Sequence, residues 1–345
     1  MKKIKQALAA IPLAMLALGA QAQSSVTIYG TADLYAGDIK NSGGSAAQGH
    51  ARVLNSGGLT TSFIGFRGSE ELGGGLKAIF NLESYLRMDT GQIGRNDSDP
   101  FWARLAVIGL EGTWGALTLG RHVTPYSLAT TNFTPFAGST TFGTAFGHVY
   151  RNNLQGNTRF NNSIRYRSPG STGFLADAVW SFGQEISEGP NRHQEQGFDG
   201  TLRYAGDGWS IVAGTRQIDL NANNNGREQK AYMVGASYNF KLVQLFTQVH
   251  DIEESFNNGR LDVQRRTYEL GAAVPVGIGA IWMSYARSTI DDSNPATSPR
   301  RTGWALGYDH PLSKRTDLYA AAYADKFESP KVEQRIVGVG VRHRF

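Results

Sequence analysis

Apolar and polar side chains alternate along most of this chain, and no long stretch beyond the N-terminal segment has the 3.6-residue period of a helix. In VTIYGTADLYAG (26–37), Val26, Ile28 and Leu34 fall on one face, whereas Thr27 and Asp33 fall on the other. Successive side chains of a strand point to opposite sides of a sheet. The pattern therefore predicts an all-β fold whose sheet has one apolar and one polar face.

Sixteen such segments can be counted, an even number. The predicted strands are 26–37, 61–71, 76–87, 101–111, 115–123, 162–169, 174–183, 197–206, 209–218, 229–240, 243–254, 264–275, 279–290, 300–310, 316–327 and 334–345. Short turns such as ELGGG and AGDG alternate with longer polar connections, among them 38–60, 88–100, 184–196 and 219–228. Short turns at one end and long loops at the other are typical of an up-and-down meander.

The width of this sheet and the content of its polar face decide how it closes. An open sheet of this width would leave two long unpaired edges, so a closed barrel is the stable arrangement. The polar face carries Arg, Asp, Glu, Asn and Gln, and a buried charge without a partner costs on the order of several kcal/mol. That face must therefore meet water. A barrel that is wet inside and apolar outside is an antiparallel transmembrane β-barrel.

The N-terminal segment MKKIKQALAAIPLAMLALGAQA (1–22) has a basic start, an apolar stretch and small residues at Ala20 and Ala22. This order predicts a cleaved secretory signal peptide, because the apolar stretch of about 14 residues is shorter than the roughly 20 that a spanning helix needs. Three lysines lie in this segment, which leaves 31 basic against 29 acidic side chains in 23–345. This small excess gives no reason to expect a nucleic-acid partner.

The chain ends in VGVGVRHRF (337–345). The alternation directs one set of its side chains to lipid, namely Val337, Val339, Val341 and Phe345. The other set faces the lumen, namely Gly338, Gly340, Arg342 and Arg344. Aromatic residues near the predicted strand ends would form girdles at the membrane surfaces; they include Tyr29, Phe80, Trp180, Tyr204, Trp209, Tyr238, Phe240 and Tyr308.

Five stretches together resemble the trimeric general porins of Gram-negative outer membranes, especially their beta-proteobacterial branch. They are SSVTIYGTADLYAG, GFRGSEELGGGLKAIFNLE (65–83), RLAVIGLEGTWGALTLGRHVTPY (104–126), DHPLSKRTDLYAAAYADKF (309–327) and VGVGVRHRF. The resemblance implies a sixteen-stranded barrel in the outer membrane, reached through the periplasm, in which each copy of a homotrimer has its own diffusion pore. It implies contacts with lipid and lipopolysaccharide, and a terminal Phe345 that the barrel-assembly machinery reads. It also implies that the third long loop, 124–160, folds into the lumen.

The resemblance carries some pore residues over by position. Arg104 and Arg159 match two wall arginines of the constriction and Glu83 matches a wall glutamate, but Phe63 stands where another arginine is expected. The loop 124–160, which usually supplies the counter-charge, contains no Asp or Glu. A narrow ring of positive charge disfavours cations and concentrates anions, so we predict an anion-selective channel for small anionic or neutral hydrophilic solutes. The predicted constriction also includes Arg121, Arg151, His148 and Asp33.

Further arginines fall on the lumen face by the period-two register: Arg165, Arg167, Arg203, Arg216, Arg265, Arg342 and Arg344. Charges more than about 8 Å apart are screened at physiological salt, so the narrow part of the pore dominates selectivity. The alternative is that many of these arginines pair with carboxylates and only stiffen the wall. The candidate partners are Asp33, Glu83, Asp177, Glu269 and Asp309.

Other classes of protein fit the sequence less well. No G-x-S-x-G or H-E-x-x-H motif and no cysteine is present, so we expect no catalytic site, metal or cofactor. Acidic pairs at 97–99 and 291–292 do not match a calcium loop and are interpreted as solvated. A substrate-specific channel for organic anions, sugars or peptides would need lumenal aromatics, and a loop such as 38–60 could serve an adhesin or receptor. The candidate aromatics, Tyr126, Phe133, Phe136, Phe142 and Phe146, could equally pack the loop against the wall.

Overall fold

Antiparallel strands make up most of the structure, which is a computed structural model. It describes residues 25–43, 49–150, 158–183, 196–219, 227–256, 263–292, 299–328 and 331–345. The predicted signal peptide (1–22) and Arg151 lie outside these residues.

Eighteen strands occur in the described ranges. They are β1 (Ser25–Ser42), β2 (Gly49–Ser56), β3 (Phe63–Gly73), β4 (Leu76–Arg87), β5 (Gln92–Ile93), β6 (Leu105–Gly112), β7 (Gly115–Val123), β8 (Arg159–Arg167), β9 (Phe174–Phe182), β10 (Gln196–Ala205), β11 (Trp209–Asp219), β12 (Arg227–Asn239), β13 (Gln244–Phe256), β14 (Val263–Val276), β15 (Gly279–Asp292), β16 (Arg300–Pro311), β17 (Thr316–Glu328) and β18 (Lys331–Arg344).

The sheet closes on itself because its first and last strands pair. Residues 31–42 of β1 form an antiparallel ladder with β18. β2 and β3 share one position in the barrel, since β2 pairs with residues 34–41 of β1 and β3 pairs with residues 25–31. β5 only pairs with the end of β4, in the connection that follows it. Counted this way, the described strands form the predicted closed barrel of sixteen strands.

Two of the predicted boundaries are wrong near the long connections. The segment 38–60 is not a simple polar loop, because β1 continues to Ser42 and β2 pairs with it across the turn. Strand β6 begins at Leu105 rather than 101, since Pro100 starts a turn in which the Ala103 N–H donates to its carbonyl at 3.1 Å. Both differences come from local turns that an alternating pattern does not register.

The two faces of the barrel differ as the alternation predicts. Val234 and Val339 are 58% and 60% exposed on the outer surface, whereas Arg216 and Arg342 are 1% and 7% exposed on the inner side. The apolar surface faces outward and the charged side chains face the interior, where they find water or each other. The predicted orientation of the last strand is confirmed by the exposure of Val339 and the burial of Arg342.

The segment between β7 and β8 turns into the barrel, and we call its described part, 124–150, the inward loop. It contains helices α1 (Pro125–Asn132) and α2 (Thr144–Val149). Thr124 caps α1 by accepting from the Ser127 N–H at 3.4 Å, and Pro125 has the fixed φ that suits a first helical position. Within the described ranges, neither helix has the length and apolar character needed to cross a bilayer.

Candidate functional site

The first part of the inward loop is bound to the wall by buried polar groups. The Tyr126 N–H donates to Oδ1 of Asp199 on β10 at 2.7 Å, and the Tyr126 hydroxyl lies 2.8 Å from Nδ1 of His250 on β13. Nε2 of Gln248 donates to the carbonyls of Thr130 at 3.2 Å and Phe133 at 3.3 Å. Because both ends of α1 contact the wall, the helix is fixed along the inner face of β10 to β13.

A single carboxylate on β14 holds two distant parts of the inward loop. Glu269 accepts from the hydroxyls of Thr134 at 2.9 Å and Thr144 at 2.7 Å, and from Nε2 of Gln248 at 2.6 Å. The chain comes close enough here that a Cβ added to the wall residue Gly271 would lie 2.4 Å from Cδ of Pro135. Only glycine fits that close approach. The carboxylate is saturated by these donors and does not offer a charge to the pore.

The tip of the inward loop rests on the segment between β2 and β3. The Ser139 hydroxyl donates to the Gly58 carbonyl at 2.7 Å and the Thr141 hydroxyl donates to the Gly57 carbonyl at 3.0 Å. This segment is in turn held by Asp33, described next. The segment between β2 and β3 therefore supports the inward loop, because its Gly57 and Gly58 carbonyls accept hydrogen bonds from the loop.

Asp33 does not line the constriction as predicted. Its carboxylate is 0% exposed and accepts from the backbone N–H groups of Gly58 at 3.0 Å, Leu59 at 3.0 Å and Thr60 at 2.8 Å. The Tyr319 hydroxyl donates to it at 2.6 Å. Four donors satisfy the buried charge. Asp33 thus fixes the segment that supports the inward loop and contributes no exposed charge to the pore.

Helix α2 is anchored by His148, which was predicted to add positive charge to the constriction. Its ring is 0% exposed, with Nδ1 2.8 Å from the Ser288 hydroxyl, and burial lowers the pKa of the imidazole from its ordinary value. Arg301 on β16 donates to the Gly147 carbonyl at 2.7 Å and pairs with Asp325 at 2.6 Å. His148 is therefore a neutral packing residue, and this part of the prediction is wrong.

The loop aromatics also pack against the wall. Tyr126, Phe133, Phe136 and Phe142 are 0%, 3%, 1% and 0% exposed, and Phe142 meets Tyr35 edge to face with centroids 5.5 Å apart. These four buried rings cannot form a row of sliding contacts for a solute, and the fifth candidate, Phe146, is partly exposed and stacks on Tyr150 with ring centroids 5.2 Å apart. The interpretation that they hold the loop in place is the one that the contacts favour.

Two of the arginines predicted for the constriction, Arg104 and Arg159, meet on the lumenal wall, whereas Arg121 lies on the outer face of β7. Arg104 directly precedes β6 and Arg159 begins β8; we call these two residues the arginine cluster. Nε of Arg159 donates to the Arg104 carbonyl at 2.8 Å, and Nε of Arg121 donates to the Ala103 carbonyl at 2.7 Å. The side chain of Arg121 also donates to Asn161. Arg121 shares its face of β7 with Leu117 and Leu119, which are 38% and 50% exposed on the outer surface, so it does not line the pore and this part of the prediction is wrong.

Aromatic rings support the arginine cluster. Cζ of Arg104 lies 3.7 Å from the ring centroid of Phe63 and 5.9 Å from that of Tyr85, and Cζ of Arg159 lies 5.1 Å from the Tyr85 centroid. A guanidinium group over a ring face is attracted by the ring quadrupole. Phe63, which replaces an expected arginine, therefore keeps a neighbouring arginine in position.

Glu83 is the carboxylate that meets the arginine cluster. It is 6% exposed, pairs with Nη1 of Arg104, and accepts from the hydroxyl of Tyr29. No carboxylate of the described residues lies within 4.0 Å of the Arg159 guanidinium, which donates instead to the hydroxyl of Thr158 at 2.5 Å. Positive charge therefore remains in excess at this point of the wall.

Arg95 was missed by the sequence analysis. It lies in the connection after β4, yet its Cζ is 5.0 Å from the Tyr85 centroid, and its charge acts on Arg159 together with those of Arg104 and Arg121. Arg95 pairs with Asp99 at 2.8 Å, and the hydrogen bond from Arg95 lowers the pKa of the Asp99 carboxyl. The path of a loop is not periodic, so no pattern in the sequence pointed to this contact.

Comparison with known proteins agrees with this architecture. A family model described as Gram-negative porin matches residues 7–329. The chain belongs to this family. Outer membrane porin protein 32 of Delftia acidovorans is 30% identical over 99% of this chain and 100% of that protein, and an outer membrane porin of Bordetella pertussis is 28% identical with the same coverage.

Solved structures of outer-membrane proteins share the barrel fold. The anion-selective porin from Comamonas acidovorans has a TM-score of 0.81 at 30% identity and covers 94% of this chain and 100% of that one. In-vitro folded OmpT of Vibrio cholerae, in its trimer form, has a TM-score of 0.71 at 13% identity, covering 93% and 99%, and shows likeness of fold alone. The resemblance to porins is confirmed, and the protein is a channel-forming barrel of the Gram-negative outer membrane.

Most other arginines of the porin wall are paired, as the alternative interpretation held. Arg165 pairs with Asp177 at 2.5 Å, Arg265 with Glu254 at 2.8 Å, and both Arg342 and Arg344 with Asp317 at 2.8 and 2.9 Å. Such pairs stiffen the ladder and add little net charge. Arg216 does not line open water, because it is 1% exposed and its Cζ lies 4.9 Å from the Phe160 centroid. Arg167 and Arg203 lie near the short turns and remain accessible.

Proposed function

We propose that this porin favours the passage of small anions, and that the arginine cluster sets this preference. The carrying observation is the balance of charge at the constriction. Arg104 and Arg159 lie beside a single buried carboxylate, Glu83, and the inward loop contains no acidic side chain. The pore therefore meets a permeating ion with a net positive wall.

Electrostatic magnitudes support the proposal. Two like charges 4 Å apart repel by about 4 kcal/mol at an effective dielectric constant near 20. A cation that passes the cluster meets such repulsion, whereas an anion is attracted. Charges in wider parts of the pore are screened over about 8 Å at physiological salt, so the constriction dominates. The Comamonas porin is described as anion-selective, and its 30% identity to this chain supports the same property here.

The experiment is a reversal-potential measurement across a planar bilayer under a potassium chloride gradient. The wild type should give the sign that corresponds to chloride preference. Arg104→Gln with Arg159→Gln should lower the anion-to-cation permeability ratio about threefold or more, because both charges of the cluster are removed. Arg300→Gln, which removes an exposed charge at the start of β16, is the matched control. An unchanged ratio in the double variant would place the filter elsewhere.

We also propose that three copies assemble and that 1–22 is removed during export. The resemblance to trimeric general porins supports the first proposal, and the segment's basic start, apolar stretch and small residues support the second. Light scattering of the detergent-solubilised protein should give three times the chain mass after subtraction of detergent. Mass spectrometry of protein from outer membranes should find Gln23 as the first residue.

The assembly signal and the membrane partners are proposals as well. Phe345 closes the barrel edge, since its N–H donates to the Gly30 carbonyl at 3.1 Å and its carbonyl accepts from the Gly30 N–H at 3.1 Å. We expect the barrel-assembly machinery to read this residue, and lipid and lipopolysaccharide to cover the apolar exterior. Deletion of Phe345 should reduce the amount of this protein in outer membranes. The amount is measured relative to another outer-membrane barrel protein of the same cells.

A further inference from the structure

A polar cavity lies on the lumen wall at the short-turn end of the barrel. It encloses about 520 Å³ between the turns that follow β6, β8 and β10. Its charged lining residues are Glu111, Arg167 and Arg203, and we call these three residues and their cavity the mouth niche. Short turns of bacterial outer-membrane barrels face the periplasm, so the niche opens at the periplasmic mouth. It is separate from the arginine cluster, which lies at the opposite ends of β6 and β8.

The positive charge of Arg167 is only partly neutralised by a carboxylate. Asp177 is its nearest carboxylate, at 4.0 Å, but Asp177 already accepts two hydrogen bonds from Arg165, at 2.7 Å and 2.5 Å. The Arg167 side chain is 56% exposed, whereas that of Arg165 is 12% exposed. One carboxylate cannot neutralise two guanidinium groups. The second charge is therefore available to a solute.

Arg203 lies on the same lumenal surface and is oriented without a carboxylate. Its Nε donates to the Ser210 hydroxyl at 3.1 Å, and within the described residues no acidic side chain pairs with it. The hydroxyl fixes the guanidinium plane and leaves the terminal nitrogens free to donate. Strand β9 separates Arg203 from Arg167, and the bond to Ser210 directs Arg203 toward β11, so Arg203 adds positive charge to the cavity from a distance. Arg167 is the group that can donate paired hydrogen bonds to a carboxylate.

Glu111 determines which carboxylate-bearing solutes the mouth niche can bind. It is exposed and lines the same cavity, so a plain anion meets repulsion from it. Lys77 lies opposite Glu111 in the ladder, but its ammonium group pairs with Glu71 at 2.7 Å. Glu111 and Arg167 lie in one row across the sheet with Ala116 between them, so a solute that carries an ammonium group beside its carboxylate would meet both charges.

We propose that the mouth niche binds small zwitterionic solutes of the amino-acid type, with the carboxylate at Arg167 and the ammonium group at Glu111. The cavity has room for such a solute and several waters, since a water takes up about 30 Å³. Bound at the exit, the solute would be held on the wall without closing the pore. The proposal rests on the open porin lumen but not on anion selectivity.

The test uses saturation-transfer NMR on the full-length detergent-solubilised protein, with three probes of matched size. L-Alanine carries both charges, propionate only the carboxylate, and ethylammonium only the ammonium group. The wild type should bind L-alanine at least about threefold more tightly than either other probe, because only it meets both signs of charge. Equal saturation of the three probes would overturn the proposal.

Variants test the carboxylate-binding part and the ammonium-binding part of the niche separately. Arg167→Gln should abolish the L-alanine signal, and Arg203→Gln should weaken it by removing a second positive charge from the cavity. Glu111→Gln should reverse the preference, so that propionate binds at least as well as L-alanine. Arg315→Gln, an exposed arginine at the same end of the barrel, should bind as the wild type does. Unchanged L-alanine binding in the arginine variants would overturn the proposal, whatever the reversal potential shows.

Discussion

The guanidinium group of Arg104 lies over the ring of Phe63, with Cζ 3.7 Å from the ring centroid, while Nη1 of the same group pairs with Glu83. Arg104 is thus held from one side by an apolar ring and from the other by a charge. The ring fixes the arginine without neutralising it, whereas the carboxylate fixes it and removes part of its field. The selectivity of the porin therefore depends on how these two kinds of contact are divided within the arginine cluster.

Glu83→Gln should strengthen the preference for anions. Glutamine keeps an acceptor for the Tyr29 hydroxyl but removes the negative charge beside Arg104. We expect the anion-to-cation permeability ratio to rise about twofold or more, because the cluster keeps both of its positive charges and loses its counter-charge. Reversal potentials in a salt gradient measure this. A fall in the ratio would mean that Glu83 acts mainly by orienting Arg104.

Asp33→Asn should loosen the inward loop, although the substituted residue lies in β1 and not in the loop. Asparagine keeps one acceptor oxygen, so its NH2 group would oppose either the N–H of Gly58 or the N–H groups of Leu59 and Thr60, which now donate to different carboxylate oxygens. Unpaired buried polar groups cost about 1–3 kcal/mol each, so the segment that supports Ser139 should move. We expect larger and noisier single-channel currents.

The control for this variant is Asp207→Asn, which removes an exposed carboxylate from a short turn. Its currents should match those of the wild type. Currents of wild-type size and noise in Asp33→Asn would show that the loop is held by its other wall contacts alone.

The fold was predictable because strand alternation is a local property. The orientation of Val339 and Arg342 follows from counting by two, and a lumenal pair such as Arg165 with Asp177 follows once two adjacent strands are placed in register. The role of Asp33 was not predictable, since its partners lie about 25 residues away in a segment that interrupts a strand. Arg95 was hidden for a similar reason, because it reaches Tyr85 from an irregular loop.

His148 should make the stability of the folded protein depend on pH. Burial lowers its pKa below the ordinary 6.5, an effect to which Arg301 adds and which Asp325 opposes. The unfolded chain binds a proton near pH 6.5 whereas the folded chain does not, so this contribution is complete above that pH. It is lost as pH falls below it, by at most about 1.4 kcal/mol for each pH unit.

The measurement is the unfolding temperature in detergent between pH 7.5 and pH 5. His148→Gln, which keeps a donor for the Ser288 hydroxyl, should lose less stability than the wild type over this range. Parallel curves for the two proteins would mean that the imidazole stays neutral for another reason or that other groups dominate.

Tyr85 should act on selectivity through its ring alone. It is 3% exposed, so a permeating ion does not touch it, yet the guanidinium groups of Arg95, Arg104 and Arg159 lie 5.0, 5.9 and 5.1 Å from its centroid. Each such contact contributes about 0.5–2 kcal/mol. Tyr85→Leu removes all three and frees the guanidinium groups to move apart under their mutual repulsion, whereas Tyr85→Phe keeps the ring. We expect Tyr85→Leu to lower the anion-to-cation permeability ratio and Tyr85→Phe to retain it. Equal ratios in the two variants would assign the positions of the arginines to their backbone hydrogen bonds instead.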